Sequence, residues 1–173
     1  MNYIVTHNPN FFKKIGNFNL LKLSEVPKFP ELLAIDTETE GLDAKIHDVF
    51  SVQIGTGKNN YIFDLQKHDS NRIYLNEVYE LIKDKTLIFH NAAFDLKFFF
   101  IKNLFIKKVK DTLLASKILY NGKIEIRHDF KSCMKRELDL TYDKTDQKNI
   151  HIVKLSQIST IEYSFNDVDK LID

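Results

Sequence analysis

Residues 31–41 read ELLAIDTETEG, an apolar run followed at once by an acidic block. The run predicts a central strand that ends in the acids, and Gly41 marks the following turn. Alternate side chains of a strand share a face, so Asp36 and Glu38 point to one side and Thr37 to the other. Two adjacent carboxylates repel each other unless a cation lies between them, which favours a Mg²⁺ or Mn²⁺ site. The alternative, a solvated edge strand that blocks aggregation, fits the apolar run poorly.

A second acidic block, FHNAAFDLKFFF, spans residues 89–100. Asn91 and Asp95 are four residues apart and share one face of a predicted helix, and core-forming side chains surround the acid. The other interpretation is that Asn91 caps the helix and Asp95 is a satisfied or exposed acid. His90 has no partner at metal-ligand spacing, which favours a core or hinge histidine.

The third acidic block lies in a predicted helix over residues 157–172. Tyr163 and Asp167 are one turn apart, on the side opposite the apolar stripe. They form either a solvated face or the wall of a cleft. The stripe consists of Ile158, Ile161, Phe165, Val168 and Ile172.

The rest of the chain predicts an α/β fold in which a mixed sheet is flanked by helices. Residues 1–30 suggest a short strand, an amphipathic turn and a lead-in segment. Residues 49–54 and 60–65 alternate as a hairpin, and 86–89 form a short buried strand. The predicted helices are 74–84, 93–103, 111–120 and 128–137, and Asp111 and Asp129 cap the last two.

Composition describes an ordinary globular chain. Its 173 residues fit one domain, with 43% hydrophobic and 28% charged residues and a formal charge of +1. One cysteine, Cys133, excludes an internal disulfide, and no signal peptide or membrane span is recognisable. These features predict an intracellular, cytoplasmic protein with no membrane association.

Taken together, the three blocks resemble the exonuclease motifs of the DEDD superfamily, whose members adopt a ribonuclease H-like fold. The motif Tyr163-x-x-x-Asp167 resembles the tyrosine (DEDDy) subgroup, since Glu162 stands where the histidine subgroup has His. The segment KDTLLASKIL at 110–119 is similar to family A DNA polymerase proofreading domains, and LDLTYDKTDQ at 138–147 to ribonuclease D-like enzymes.

The resemblance implies a single 3′-5′ exonuclease domain over residues 1–173, with 1–30 as lead-in and 31–173 as catalytic core. It implies two divalent ions, Mg²⁺ or Mn²⁺, and catalytic roles for five residues. Asp36, Glu38, Asp95 and Asp167 would hold the ions, and Tyr163 would orient the attacking water.

Substrate contacts follow from the same resemblance. Leu42 would wedge between terminal bases, and Asn91 and Thr37 would contact the substrate. Leu42 could instead be a turn residue tucked against the core. A cluster of Lys107, Lys108 and Lys110 is either a phosphate-binding surface or an ordinary solvated face.

The expected ligand is a single-stranded or frayed nucleic-acid 3′ end, with DNA favoured. An RNA-trimming enzyme is the first alternative. DNA and RNA share the phosphates at which the acids would act, so the acids do not distinguish them. A nucleic-acid-binding module without catalysis is the second. The near-neutral charge suggests weak binding without a polymerase or accessory protein as partner. The start at Met1 favours a stand-alone nuclease over an excised domain.

Overall fold

The computed structural model describes residues 1–68, 72–141, 154–169 and 171. Seven strands run through these residues and form one mixed sheet. They are β1 (Asn2–Val5), β2 (Asn19–Leu21), β3 (Leu32–Thr39), β4 (Val49–Gly55), β5 (Asn60–Asp64), β6 (Thr86–Phe89) and β7 (Lys108–Asp111). Across the sheet their order is β2-β1-β5-β4-β3-β6-β7, so the strand with the first acidic block is internal, as predicted.

Six α-helices lie within the described residues, and a 3₁₀ turn spans Leu23–Glu25. They are α1 (Pro9–Ile15), α2 (Leu75–Ile82), α3 (Ala92–Phe100), α4 (Thr112–Leu119), α5 (Phe130–Leu138) and α6 (Ile158–Asp169). The five predicted helices agree with α2–α6 to within a few residues. The segments 142–147 and 172 lie outside the described residues.

The direction of β3 relative to its neighbours places the acidic block. β3 pairs antiparallel with β4, whereas it pairs parallel with β6. The carboxyl ends of β3 and β6 therefore meet at the same edge of the sheet. The α3 helix begins directly after β6, so its first turn lies beside the end of β3 that carries the acids.

Alternation along β3 divides the core into two layers. Leu33 and Ile35 belong to a cluster that α2 and α3 cover, whereas Ala34 belongs to a second cluster on the other face. Helices α1, α5 and α6 cover that second face. The result is a sheet between two helical layers, which confirms the predicted α/β class.

Two regions differ from the sequence-based expectation. Residues 1–30 contribute two strands, because β1 pairs parallel with both β2 and β5 and extends the sheet. The lysines at 108 and 110 belong to an edge strand, β7, which the sequence did not predict. Its four residues, KVKD, contain a single apolar side chain, too few for the repeated alternation by which half-buried strands are recognised. Within the described residues, none of the helices has the length and apolarity needed to cross a membrane.

Candidate active site

The carboxyl end of β3 carries Asp36 and Glu38 on one face of the sheet. Both side chains are half-buried, whereas Thr37 between them is buried on the opposite face. Asp36 lies opposite Gln53 of β4, and Glu38 lies opposite Ser51. Even-numbered residues of β3 face α6, as Ala34 does, so the two acids point toward the helix of the third block.

Helix α6 completes an acidic cluster with these two side chains. Carboxylate oxygens of Asp36, Glu38 and Asp167 all lie within 4.8 Å of one another. Asp167 and Tyr163 are 8% and 6% exposed, respectively, and both line a cavity beside the cluster. The surface they share is therefore the wall of a cleft rather than a solvated helix face.

The apolar stripe of α6 was predicted correctly except at its start. Ile161, Phe165 and Val168 are buried, whereas Ile158 is 47% exposed. Ile158 is the first residue of the helix. Ile172 lies outside the described residues.

Asp95 approaches the site from α3, on the other helical layer. Its Oδ1 accepts hydrogen bonds from the Thr37 backbone N–H at 3.0 Å and from the Thr37 hydroxyl at 2.6 Å. Burial raises the pKa of Asp95 to about 7; the bonds from Thr37 oppose this rise, and the nearby charge of Asp111 adds to it. Asp95 lines the same cavity but is not a member of the three-carboxylate cluster.

Asp111 connects two helix N-termini near the site. Its carboxylate accepts from the backbone N–H groups of Leu113 and Leu114, which confirms the predicted cap of α4. The same carboxylate accepts from Asn91 N–H at 3.1 Å and Ala92 N–H at 3.0 Å, so it also caps α3. This second role is invisible in the sequence because Asp111 follows Asn91 by 20 residues, beyond any local capping pattern.

Asn91 therefore does not cap α3 with its side chain. It occupies the N-cap position with φ 74° and ψ 54°, in the left-handed region that asparagine tolerates. The capping interpretation is wrong, and Asn91 is instead exposed at the cavity wall.

Leu42 lies at the cavity rim and is 77% exposed. The alternative that it is tucked against the core is wrong. Its carbonyl oxygen accepts a hydrogen bond from Lys97 Nζ at 2.7 Å. The same ammonium group lies 4.1 Å from the ring centroid of Phe94, which also lines the cavity. Lys97 thus links the backbone at Leu42 to α3.

A second lysine links the segment before α6 to the turn after β3. Lys154 Nζ donates to Glu40 Oε1 at 2.6 Å, and this hydrogen bond lowers the pKa of Glu40. The pair is partly exposed, and so we attribute positioning rather than a large stability contribution to it.

Two histidines that the sequence did not mark as functional line the wall formed by α4, α5 and their flanks. His90 is half-buried, and its Nδ1 lies 2.9 Å from Thr112 Oγ1. Thr112 donates its hydroxyl hydrogen to Phe89 O, so His90 Nδ1 is the donor of this bond. His128 lines the same wall. Neither histidine has a partner at a recognisable spacing, so the sequence gives no sign that they line the cavity.

The cavity has a volume of about 840 Å³ and gathers residues from all three acidic blocks. Every residue singled out in the sequence as a site residue lines it: Asp36, Thr37, Glu38, Leu42, Asn91, Asp95, Tyr163 and Asp167. The lysines at 107, 108 and 110 are not among its lining residues, and Lys108 forms an ion pair with Glu31.

The donor set of the cluster fits a divalent cation. Hard carboxylate oxygens are the ligands that Mg²⁺ and Mn²⁺ prefer, and three within 4.8 Å repel one another strongly unless positive charge lies among them. Open cavity volume beside the cluster leaves room for water and a substrate phosphate.

Among known proteins, the chain is 26% identical to the DNA polymerase I of Aquifex aeolicus over 136 residues. That match covers 79% of this chain but only 21% of the polymerase, so the chain spans about a fifth of its relative.

Solved structures with similar folds cover almost the whole chain. Brucella melitensis NrnC has a TM-score of 0.65 at 22% identity, with 99% of this chain and 75% of NrnC covered. The Aedes aegypti Nibbler EXO domain has a TM-score of 0.73 at 12% identity, covering 99% and 84%. Escherichia coli RNase D has a TM-score of 0.69 at 18% identity, covering 99% and 43%.

These structural likenesses confirm the ribonuclease H-like fold that the motifs predicted. Residues 16–173 match the family described as 3′-5′ exonuclease, which is most of the chain. The chain is a member of the 3′-5′ exonuclease family.

Proposed function

We propose that this protein is a divalent-metal-dependent 3′-5′ exonuclease of the tyrosine (DEDDy) subgroup that removes nucleotides stepwise from DNA ends. The observation that carries the proposal is the meeting of the Asp36, Glu38 and Asp167 carboxylates within 4.8 Å at the wall of an open cavity. Acids with a purely structural role on a surface normally lie apart or are paired with cations. Here three acids from two distant parts of the chain lie together.

In the proposed site, Asp36, Glu38 and Asp167 would hold the metal ions, and Asp95, whose Oδ1 accepts two hydrogen bonds from Thr37, would help to hold them. Two bound ions would supply a nucleophilic water near neutral pH and neutralise charge on the phosphodiester. A solved structure of Brucella melitensis NrnC contains bound Mg²⁺, which supports this choice of metal.

Tyr163 has an orienting role in this proposal. A phenol has an ordinary pKa near 10 and is therefore a poor general base at pH 7. Its hydroxyl can instead hold the attacking water in line by a hydrogen bond. Tyr163 precedes Asp167 by one helical turn, so both side chains reach the same cavity.

Three residues would act on the substrate. Leu42 presents an exposed apolar side chain at the rim, which suits it to wedge against a terminal base. Asn91 offers an exposed amide to the sugar–phosphate backbone. Thr37 donates its hydroxyl hydrogen to Asp95, so its effect on the substrate would come through the position of that carboxylate.

DNA is the proposed substrate because the matching curated relative is a DNA polymerase I. RNA is the second candidate, since structural neighbours include RNase D, described as an exoribonuclease involved in structured RNA processing. NrnC has also been solved bound to pGG, which makes very short substrates worth testing.

The decisive experiment is digestion of 5′- and 3′-labelled single-stranded DNA and RNA of equal sequence, with Mg²⁺, Mn²⁺ or EDTA. The proposal expects a ladder of shortened products from the 5′-labelled DNA, immediate release of label from the 3′-labelled DNA, and no product in EDTA. Faster digestion of RNA would favour the second candidate. Binding without cleavage in either metal would indicate a nucleic-acid-binding module and overturn the proposal.

A further inference from the structure

His128 lies between α4 and α5 and lines the cavity that also holds the acidic cluster. The ring is partly buried, and its Nδ1 is 2.8 Å from Ser116 Oγ. Either Ser116 Oγ or His128 Nδ1 donates the hydrogen in this contact. If Nδ1 accepts, the hydrogen of the neutral ring lies on Nε2, where it is available to a molecule in the cavity.

The surroundings of Ser116 assign that hydrogen. Ser116 is 8% exposed, and its Oγ accepts from Arg136 Nη2 at 2.9 Å. A guanidinium group donates only, so this bond uses a lone pair of Oγ and leaves the hydroxyl hydrogen to be placed. The Cys133 thiol, 3.5 Å away, is a weak donor to the same oxygen and does not compete for the hydroxyl hydrogen. His128 Nδ1 is therefore the acceptor for the Ser116 hydroxyl.

Arg136 is itself held firmly in this position. Its Nη1 donates to Arg127 O at 3.0 Å, its Nε donates to Glu137, and its guanidinium lies 4.3 Å from the ring centroid of Tyr120. The donor that fixes the hydroxyl of Ser116 is therefore not free to turn away. The neutral ring of His128 then carries its hydrogen on Nε2.

This Nε2–H group has no hydrogen-bond partner within the described residues, and the ring that bears it lines the cavity. The cluster of Asp36, Glu38 and Asp167 repels phosphate groups that do not contact a bound metal ion. A hydrogen-bond donor elsewhere in the cavity lining is what such a phosphate needs.

We propose that His128 is a substrate-contacting residue whose Nε2–H donates to a non-bridging phosphate oxygen of the bound strand, with Ser116 and Arg136 holding the ring in the donating tautomer. The inference rests on the proposed nuclease function and adds a phosphate contact that none of the acids supplies.

A pair of substitutions separates this role from a structural one. The amide of Gln reaches the place of Nε2 and restores a donor there. The amide of Asn reaches only the place of Nδ1, which preserves the link to Ser116 but removes the donor from the cavity. Each variant therefore keeps one of the two functions of the ring. His128→Gln keeps the donor in the cavity, and His128→Asn keeps the link to Ser116. His7→Ala, at an exposed histidine outside the cavity lining, is the matched control.

Binding is measured by fluorescence anisotropy of 5′-fluorescein dT6 and U6 in Ca²⁺, and turnover of the same oligonucleotides in Mg²⁺. We expect His128→Asn to raise the Kd and KM about 10-fold, as for loss of a hydrogen bond to a charged group, with little change in kcat. His128→Gln should stay within about 3-fold of the wild type. His7→Ala should match the wild type.

Equal Kd values for wild type, His128→Asn and His128→Gln would overturn the phosphate contact. Equal losses in both variants would also overturn it, since a merely structural histidine would not distinguish the two amides. A thermal melt of each variant accompanies the binding data. Absence of turnover by the wild type with either metal would refute the proposed function. The Kd values, measured in Ca²⁺ without turnover, would still test the phosphate contact.

Discussion

Asp95 Oδ1 accepts two hydrogen bonds from Thr37, one from the backbone N–H at 3.0 Å and one from the hydroxyl at 2.6 Å. The two residues lie on different elements, β3 and α3, and both side chains are buried. The acid of the second block is thus fixed to the strand of the first block.

The raised pKa of Asp95 predicts a pH-dependent stability in the metal-free protein. Burial raises this pKa to about 7, whereas in the unfolded chain it returns to 3.8. Between these values the unfolded state loses its proton first, so stability falls as pH rises from about 4 to about 7 and then levels off. Asp95→Asn removes this fall and should exceed the wild type at pH 8 by on the order of 4 kcal/mol.

Urea unfolding in EDTA at pH 4.5 and pH 8 measures the difference between the two proteins. A difference that does not change with pH would show that Asp95 ionises normally. The Thr37 hydroxyl favours the ionised form, and Thr37→Val should therefore enlarge the fall in stability between the two pH values.

Substitutions in the acidic cluster should separate metal binding from water orientation. Asp36→Asn or Asp167→Asn should reduce turnover by at least about 1000-fold, because each removes a charge from the proposed metal site. Tyr163→Phe should leave a measurable remnant, since a lost orienting hydrogen bond costs less than a lost metal ligand. Asp84→Asn, an exposed acid outside the cavity, is the control. Equal loss in Asp36→Asn, Asp167→Asn and Tyr163→Phe would refute the orienting role of the tyrosine.

The same cluster predicts stabilisation by metal. Saturating Mg²⁺ or Mn²⁺ should raise the Tm of the wild type by several degrees, because about 10-fold excess over Kd contributes about 1.4 kcal/mol. Asp36→Asn and Asp167→Asn should lose this increase, while Asp84→Asn keeps it. A metal-induced shift of the same size in all four proteins would place the ions elsewhere.

Asp111 should contribute more to stability than an ordinary helix cap. Its carboxylate accepts N–H groups at the starts of both α3 and α4, whereas Asp129 caps α5 alone. Asp111→Ala should cost about 2–3 kcal/mol of unfolding free energy, and Asp129→Ala about 1 kcal/mol. Equal costs in urea titrations would show that the bonds to α3 add nothing.

Lys97 should act through the segment that carries Leu42. Lys97→Met removes the donor to Leu42 O and the cation above Phe94 while keeping the aliphatic stem. We expect KM for a single-stranded oligonucleotide to rise about 3- to 10-fold with kcat little changed, consistent with loss of a single hydrogen bond. Lys83→Met, at a surface lysine paired with Glu80, should leave both constants unchanged. A comparable effect in Lys83→Met would point to general loss of positive charge.

The sequence by itself predicted most of the elements and the residue types of the candidate site. An apolar run ending in DTE specified an internal strand, and the three- and four-residue spacing of Ile161, Phe165 and Val168 specified the buried stripe of α6. Both signals are local, because side-chain direction follows directly from the period of a strand or helix. The residue types of the acidic blocks then specified hard oxygen ligands.

Only the tertiary structure decided which of these residues meet. It joined Asp36 and Glu38 with Asp167, fixed Asp95 to Thr37, and brought His128 to the same cavity. It also gave Asp111 two helices to cap and built a strand from the lysine-rich segment at 108–111. Such contacts join residues far apart in the chain, and they depend on strand order and helix packing, which no local spacing records.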